Sequence, residues 1–338
     1  MTVRREPYGG TYEGNTRGGA AVLLRQLEYL TALARTRHFA RAAEACHVSQ
    51  PSLSAGIRTL ERELKVMIVR RGRRFEGFTP EGERVVMWAR RILAERDALR
   101  DDVAAMDGGP TGVLRIGAIP TALTAAQLLT MPFLDRHPQV RISLESMSSR
   151  EMVHRLAEYD LDVGLSYVDG EPLGGVRTVP LYRERHLLLT PEDGELAHRP
   201  RAGWADVARL PLCLLSPQMQ NRRILDRCFA DAGAGAVSAC LETDTVSALY
   251  AHLGTRRWSS VIAHAWLGLF GVPAGMRLVP MERPARSYHV GLVLADRDPA
   301  LSLVRALVDV AHQVDVAGEL DGVLRDSLRG QAPATDDG

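Results

Sequence analysis

The sequence predicts a multidomain chain: an α-helical N-terminal region, then one long helix, then a larger α/β region. Between residues 24 and 106, apolar residues recur every three or four positions, which is the period of amphipathic helices. From residue 112 onward, short apolar runs alternate with helical stretches, which favours α/β domains with mainly parallel sheets. The length of 338 residues suits two or three domains of roughly 100–200 residues each.

Charge is distributed unevenly along the chain. Residues 21–80 contain eleven Lys and Arg against five Asp and Glu, whereas residues 81–338 are mildly acidic. A basic segment attracts the phosphate backbone of nucleic acid. We therefore expect the N-terminal region alone to contact nucleic acid.

The composition argues against a membrane, secreted or metal-dependent protein. No stretch approaches the ~20 apolar residues of a membrane helix, and the N-terminus lacks the features of a signal peptide. The four cysteines lie far apart and form no Cys-x-x-Cys pair. The common catalytic and nucleotide-binding motifs do not occur. We expect a cytoplasmic protein that is not an enzyme, with no metal and no cofactor.

The first 21 residues differ in character from the rest of the chain. Residues 1–21 are Gly, Thr, Arg and Tyr without periodicity, and we interpret them as a disordered extension. Val22 is a candidate translation start, since a GTG codon can initiate in bacteria, which would make the extension a misassigned start.

A helix-turn-helix pattern lies within a predicted domain over 22–80. One helix starts near Leu24, a second covers 39–46, and a third follows a tight turn with Ser49 as its N-cap and Pro51 in its first turn. The third helix is apolar on one side and polar or basic on the other. We expect the outer side to contact DNA in the major groove. The candidate contacts are Ser49, Gln50, Pro51, Ser52, Ser54 and Arg58.

A basic segment after the third helix predicts a hairpin-like wing. Gly72 and Gly77 favour tight turns there, and arginines dominate the stretch between residues 70 and 74. Guanidinium groups bind phosphates irrespective of base sequence. The candidate phosphate clamps are Arg70, Arg71, Arg73 and Arg74.

A long linker helix is predicted over 81–108. Thr79 caps it, Pro80 suits its first turn, and Gly108-Gly109-Pro110 ends it. Apolar positions step by four and three, which indicates a coiled-coil pair with a second copy of the chain. The alternative is an amphipathic helix that packs on its own domain. The predicted seam is Val85, Ala89, Ile92, Arg96, Leu99, Val103 and Met106.

Five motifs follow one another between residues 24 and 82: Leu24-Arg25-Gln26-Leu27-Glu28-Tyr29-Leu30, His38-Phe39-Ala40-Arg41-Ala42-Ala43-Glu44, Val48-Ser49-Gln50-Pro51-Ser52-Leu53-Ser54, Ile57-x-x-Leu60-Glu61 and Phe78-Thr79-Pro80-Glu81-Gly82. In this order and spacing they resemble the LysR-type transcriptional regulators, and the region from 112 to about 314 resembles the effector domain of that family more weakly. The family implies a winged helix-turn-helix, a dimerising linker helix and a periplasmic-binding-protein-like effector domain. It also implies binding to double-stranded promoter DNA as a homodimer or homotetramer, a small-molecule effector and contact with RNA polymerase.

The resemblance implies two effector subdomains with a ligand cleft between them. Subdomain I would comprise 112–185 and 289–314, and subdomain II would comprise 186–288. The chain would cross between them near 184–188 and 286–290. The remaining residues, 315–338, are interpreted as a polar C-terminal tail.

One departure from the family has a direct physical consequence. Lys65 stands just past the recognition helix, where the family usually has Gly. A left-handed helix cap there would strain a residue with a Cβ by about 1 kcal/mol.

Ligands in such folds bind near the carboxyl ends of strands and the N-termini of helices. Hydroxyls, amides and cations at these places favour a small organic anion as effector, with Arg222 as a candidate carboxylate anchor. The candidate effector residues are Thr121, Thr124, Ser148, Ser149, Ser216, Gln220, Asn221, Arg222, Thr243 and Thr245.

Cysteine-based redox sensing is an alternative function. Peroxide-sensing members of the family place a reactive cysteine in the loop where this chain has Gln220 and Asn221. Cys228, near Arg222, Arg223 and Arg227, is the better candidate thiol and Cys213 the weaker one. An enzyme or a free-standing small-molecule binding module is less favoured.

Overall fold

The structure is a computed structural model. It describes residues 24–70, 75–108, 110–169, 175–284, 288–296 and 301–331, with the backbone alone at 101–102 and 104–108. The predictions outside these described residues concern the extension 1–21, Arg71, Arg73, Arg74 and the side chain of Met106. The chain divides into two compact units, Met1–Glu95 and Arg96–Gly338. None of the helices in the described ranges is long and apolar enough to cross a membrane.

Three short helices and the beginning of a long one build the first unit. They are α1 (Leu24–Thr36), α2 (Phe39–Ala45), α3 (Gln50–Leu64) and α4 (Pro80–Gly108). Leu30, Leu53 and Leu60 are fully buried in the core that these helices share. The predicted helical periodicity therefore corresponds to a real buried face.

A tight turn joins α2 to α3, as the sequence predicts. The backbone N–H of Val48 donates to the Ala43 carbonyl at 3.0 Å, and His47 has a positive φ of 54°. The Ser49 hydroxyl accepts from the Ser52 N–H at 3.3 Å, and Pro51 lies in the first turn of α3. These local interactions confirm the helix-turn-helix.

The wing is attached to α3 through one carboxylate. Glu61 Oε1 accepts the N–H groups of Ile68 at 2.8 Å and Val69 at 3.0 Å. Val69 then pairs antiparallel with Phe78. At Gly77, φ is +113°, a conformation that residues with a Cβ rarely adopt.

The start of α4 packs closely against the wing. The Thr79 hydroxyl caps the helix by accepting from the Gly82 N–H at 2.9 Å, which confirms the predicted cap. A Cβ at Gly82 would overlap the Ile68 carbonyl, so only glycine allows this approach.

The helix α4 has two apolar faces rather than the single predicted seam. One face is buried in the core of the first unit, and it consists of Val86, Ala89 and Leu93. Other apolar side chains of α4 are exposed: Trp88 51%, Ile92 42%, Leu99 65% and Val103 54%. The predicted seam is wrong at Ala89, because this residue lies three and four positions from other inward residues and packs on its own domain.

The second unit is an α/β domain with two sheets. Its strands are β1 (Gly112–Ala118), β2 (Val140–Ser146), β3 (Val163–Tyr167), β4 (Val176–Arg183), β5 (His186–Pro191), β6 (Cys213–Leu215), β7 (Leu241–Thr243), β8 (Ser260–Ala263), β9 (Met276–Pro280) and β10 (His289–Ala295). Its helices are α5 (Gln127–Arg136), α6 (Ser149–Ala157), α7 (Trp204–Val207), α8 (Gln220–Asp231), α9 (Val246–Leu253), α10 (Leu267–Phe270), α11 (Ser302–Gln313) and α12 (Val316–Arg329). Two 3-10 turns lie at Leu123–Ala125 and His264–Trp266.

The first sheet has the order β2-β1-β3-β10-β4, and we call it and its helices subdomain I. The second sheet, β8-β5-β9, is joined to the β6-β7 pair by a bridge between Leu212 and Ser259, and this part is subdomain II. The expectation of mainly parallel sheets is wrong. Both β5 and β10 run antiparallel to their neighbours, because these strands begin where the chain crosses between the sheets.

Two crossings join the subdomains. The chain leaves subdomain I after β4 and enters subdomain II through Glu184 and Arg185 alone, and β10, which begins at His289, lies in subdomain I again. Buried hydrophobic residues from both sheets form one continuous core. The two subdomains therefore meet at a packed junction.

The residues expected to form a polar tail form α12 instead. Val316, Leu320 and Leu324, four positions apart, are buried in the core of the second unit. Asp315 caps the helix by accepting from the Gly318 N–H at 2.9 Å. The tail interpretation is wrong because an amphipathic helix needs only this narrow apolar stripe, which a count of polar residues hides.

The backbone of Lys65 allows a direct test of the predicted strain. Lys65 ends α3 in the left-handed conformation, with φ 55° and ψ 35°. We expect Lys65→Gly to raise the free energy of unfolding by about 0.5–1 kcal/mol in urea titrations of the full chain, because glycine adopts this conformation without a Cβ clash. Lys65→Ala removes the same side chain but keeps the Cβ and should give no such gain. An equal gain in both variants would contradict the strain.

Candidate functional site

The outer face of α3 carries the predicted DNA contacts on a capped, rigid helix. The structure leaves Ser49, Gln50, Pro51, Ser52 and Arg58 exposed and Ser54 half-buried. The hydroxyls of Ser49 and Ser52 lie 2.8 Å apart and bond to each other. Ser49 is thus engaged in capping.

In the described part of the wing, hydrogen bonds hold Arg70, one of the arginines predicted to bind phosphate. Arg70 Nε donates to the Phe78 carbonyl at 2.9 Å, and its backbone N–H donates to the Gly77 carbonyl at 3.0 Å. The Phe78 ring packs edge-on against Phe75 with centroids 5.0 Å apart. Arg70 therefore helps to shape the base of the wing.

The two predicted threonines after β1 touch subdomain II. Thr124 Oγ1 donates to the Ala265 carbonyl at 2.9 Å, and the Thr121 carbonyl accepts from the Trp266 indole N–H at 3.0 Å. Thr121 is buried. These contacts place the loop after β1 at the junction between the subdomains, but they already occupy the Thr124 hydroxyl.

Several predicted effector residues are helix caps. Ser148 accepts from the Glu151 N–H at 3.2 Å, and Thr245 accepts from the Ala248 N–H at 3.2 Å. Ser149 is buried, and Thr243 is half-buried in β7. The Ser216 backbone N–H bonds to the Thr243 carbonyl at 2.8 Å. The structure therefore gives the Ser148 and Thr245 hydroxyls local capping roles, whereas the Ser216 hydroxyl and Gln220 Oε1 are buried without a hydrogen-bond partner among the described residues.

The expected role of Arg222 as a carboxylate anchor is wrong. Its guanidinium is buried and donates to Asp226 at 2.8 Å, to Glu242 at 2.8 Å and to the Leu215 carbonyl at 2.9 Å. Two carboxylates of the protein already neutralise this cation. Arg222 fixes the loop that precedes α8 and has no donor pair left for a ligand carboxylate.

A buried polar cluster at the junction contains residues that the sequence interpretation missed. Glu184 Oε1 accepts from the Tyr167 hydroxyl at 2.7 Å and from Asn221 Nδ2 at 3.4 Å, and it lies 3.4 Å from His186 Nε2. Tyr167 comes from subdomain I, Asn221 comes from subdomain II, and Glu184 lies in the crossing. We call Tyr167, Glu184, His186 and Asn221 the junction cluster. Burial and the charge of Glu184 raise the pKa of Tyr167 well above its ordinary value, so the phenol stays a donor.

The junction cluster is incompletely hydrogen-bonded. Glu184 Oε2, Asn221 Oδ1 and both ring nitrogens of His186 are buried without a hydrogen-bond partner in the described structure. Each such atom costs roughly 1–3 kcal/mol relative to a satisfied one. The signal in the sequence was Glu184 and His186 at the start of an otherwise apolar strand, where charged and titratable residues are rare.

The two cysteines predicted from the sequence as candidate thiols, Cys213 and Cys228, do not have the surroundings of reactive thiols. Burial raises the pKa of Cys213 to about 11, and burial with the charges of Asp231 and Glu184 raises the pKa of Cys228 to about 12. The expectation that nearby arginines activate Cys228 is wrong, because its side chain lies in the core. Among the described residues, no group of three His, Cys, Asp or Glu side chains could hold a metal ion.

Two family models match the chain and agree with this architecture. The bacterial regulatory helix-turn-helix protein model of the lysR family matches residues 24–83, and the LysR substrate binding domain matches residues 107–315. The second match alone covers more than half of the chain. The chain belongs to the LysR family, and it is a DNA-binding transcriptional regulator with an effector domain.

Similar curated proteins include several that are named hydrogen peroxide-inducible genes activators. The DNA-binding transcriptional dual regulator OxyR of Escherichia coli K12 is 30% identical over 316 residues, which cover 90% of this chain and 99% of that protein. The SDS degradation transcriptional activation protein of a Pseudomonas species is 36% identical over 201 residues, covering 56% of this chain and 63% of its own.

Solved structures show the same fold. A full-length OxyR variant from Pseudomonas aeruginosa has a TM-score of 0.71 at 25% identity and covers 88% of this chain and 96% of its own. Full-length CbnR in complex with its target DNA has a TM-score of 0.62 at 21% identity and covers 86% of this chain and 99% of its own.

A buried histidine beside the junction cluster makes stability depend on pH. His264 Nδ1 accepts from the Arg185 N–H at 3.2 Å. Burial lowers the pKa of His264 to about 4, although Glu184 and Asp321 raise it and Arg185 and His186 lower it. The folded state therefore keeps this imidazole neutral.

We expect acidification from pH 7 to pH 5 to cost about 2 kcal/mol of unfolding free energy through His264, because the unfolded histidine, with a pKa near 6.5, binds the proton first. His264→Asn keeps an acceptor and cannot titrate, so its stability should fall less over the same range. Urea titrations at both pH values measure the difference. Identical pH dependence in both proteins would contradict the assignment to His264.

Proposed function

We propose that the protein controls promoters in the cytoplasm by reading DNA with α3 and the wing, and that a small molecule at the junction between the subdomains regulates this binding. The observation that supports the regulatory site is the junction cluster. Its hydrogen bonds link both subdomains through the crossing, and several of its buried acceptor atoms lack donors. A molecule that pairs with these atoms changes the balance between arrangements of the subdomains.

The chemistry of the effector follows from the side chains that remain available. The expected organic anion would lack its positively charged partner, because Arg222 is already paired with Asp226 and Glu242. The junction cluster supplies carboxylate and amide oxygens instead. We therefore propose a small polar effector that donates hydrogen bonds.

For DNA, the proposed base-reading side chains are Gln50 and Ser52, with Arg58 reaching a base or a phosphate. Ser52 and Arg58 are exposed and lie away from the buried Leu53 and Ile57, and Gln50 is exposed in the first turn of α3. Such a helix fits the major groove. The wing arginines Arg71, Arg73 and Arg74 supply sequence-independent affinity in this proposal.

We propose a homodimer that forms through the exposed apolar side chains of α4, with a tetramer and contact with RNA polymerase following from the family resemblance. Ile92, Leu99 and Val103 follow one another at intervals of seven and four, which is the spacing of a coiled-coil seam, and the exposed Trp88 lies beside the seam one turn earlier. Exposed side chains of this size gain free energy when a second copy covers them.

Redox sensing is the second candidate, because the similar OxyR of Escherichia coli and several other relatives named hydrogen peroxide-inducible genes activators point to it. The high pKa of the buried Cys213 and Cys228 thiols argues against thiolate chemistry at either position. We therefore propose ligand sensing as the main function, and no catalytic activity.

The test of this function is fluorescence anisotropy of the full-length protein with its own upstream intergenic DNA and with a scrambled duplex of equal length. We expect a preference of roughly 10³-fold or more for the native duplex and a steep dependence on salt. No binding to either duplex at low salt by a folded oligomer would contradict the proposal.

Two substitutions separate base reading from phosphate contact in the same assay. Gln50→Ala should cost about 1–3 kcal/mol on the native duplex and little on the scrambled one. Arg73→Ala should weaken both duplexes alike and reduce the salt slope. If Arg73→Ala changed the preference between the two duplexes, Arg73 would read bases. If Gln50→Ala weakened binding to both duplexes equally, Gln50 would contact phosphates.

A further inference from the structure

The C-terminal helix α12 lies beyond the part of the chain that matches the family's effector domain, which ends at residue 315. Its apolar face, Val316, Leu320 and Leu324, is nevertheless buried. Because α12 buries its apolar stripe in the core of the domain, it is part of the packed domain although it lies outside the family match.

This helix contacts both subdomains. It follows α11, which packs on α5 of subdomain I, and α12 itself packs against β4 of the same subdomain. It also packs against α10 and the 3-10 turn at 264–266, which belong to subdomain II. Rotation of one subdomain against the other must therefore move α12 or break its contacts.

Polar contacts attach α12 to the crossing and to the edge of the second sheet. Asp321 accepts from the Arg185 guanidinium at 2.6 Å, and Arg185 lies directly in the crossing after Glu184. Just past the helix, Gln331 Oε1 accepts from the Leu278 N–H of β9 at 2.8 Å, and the Gln331 carbonyl accepts from Arg277 at 3.1 Å. The ion pair is partly exposed, so the apolar face contributes more than this pair does.

Buried polar atoms without hydrogen-bond partners favour opening of the junction that α12 covers. Glu184, His186 and Asn221 are buried with polar atoms that lack partners, and water would satisfy those atoms if the subdomains separated. The shared apolar core and the bonds of Thr124 and Thr121 to the turn at 264–266 oppose this separation, and α12 adds to them. Among the described elements, α12 contacts both subdomains and bonds to the crossing strand beside these residues.

We propose that α12 is a strap that holds subdomain I and subdomain II closed over the junction cluster, and that loosening this strap shifts the subdomains toward an open arrangement. The role of this strap in regulation rests on the proposed effector site at the junction. An effector that satisfies the unpartnered acceptors stabilises the closed state together with α12, and a weakened strap makes closure depend on the effector.

The test measures the distance between the subdomains by double electron–electron resonance, without DNA or effector. Spin labels at Ala157→Cys on α6 and Ala251→Cys on α9 occupy exposed positions of subdomains I and II. Ser replaces the more accessible native thiols, Cys46 and Cys240, and dilution with unlabelled chain removes distances between copies.

Two variants loosen the strap in different ways. Leu320→Ala with Leu324→Ala reduces the apolar face, and Asp321→Asn with Gln331→Ala removes the ion pair with Arg185 and the side-chain bond to Leu278 without a cavity, while the Gln331 carbonyl keeps its bond to Arg277. The matched control is Asp326→Asn, which removes the same charge from the exposed face of the same helix.

We expect a single main distance in the parent, at least a threefold larger population at a second distance in the apolar variant, and a smaller increase in the polar variant. The control should match the parent. Unchanged distributions in both strap variants, or equal broadening in the control, would overturn the proposal. The distance measurement uses no DNA, so it tests the strap independently of promoter binding. A negative result here leaves the anisotropy result intact, and a negative anisotropy result leaves the distance result intact.

Discussion

The crossing of the chain between its two sheets is the constraint on which the effector domain depends. Glu184 and Arg185 alone connect β4 to β5, so every change of angle between the subdomains acts on these two residues. The chain places a carboxylate there, surrounds it with Tyr167 and Asn221, and leaves part of its hydrogen-bonding capacity unused. A crossing whose polar groups all had hydrogen-bond partners, or one made of apolar residues, would be more stable, but it would respond less to a polar ligand.

The first unit shows how much of the fold local chemistry determines. Side-chain caps at Ser49 and Thr79 set the starts of α3 and α4, and both are readable from residue type and spacing. The exposed face of α3 follows from the burial of Leu53 and Ile57 on the other side. The Glu61 bonds to the wing were not predicted, because a carboxylate that accepts from residues seven and eight positions later leaves no periodic signal.

In the second unit, the sequence predicted the alternation of strands and helices but not the directions in which the strands pair or the chemistry of the site. The strand β4 carries no continuous apolar run, because it lies at the edge of its sheet and contains Pro180. Arg222 was expected to face a ligand, yet Glu242, twenty positions away in sequence, engages it instead. Such pairings depend on distant segments, and one sequence without its fold does not reveal them. Of the junction cluster, the sequence predicted only Asn221 as a site residue, and its contacts with Tyr167 and Glu184 became visible only once the two sheets were in place.

The central claim is that the junction is closed at a cost, and hydrogen–deuterium exchange of the unmodified protein tests it most directly. The indole N–H of Trp266 in subdomain II donates to the Thr121 carbonyl in subdomain I, whereas the N–H groups of β1 and β3 lie inside one sheet. If the junction opens locally, the Trp266 indole N–H exchanges far faster than the N–H groups of the sheet, and its opening free energy lies well below that of global unfolding. Equal protection at the junction and in the sheet would contradict the account.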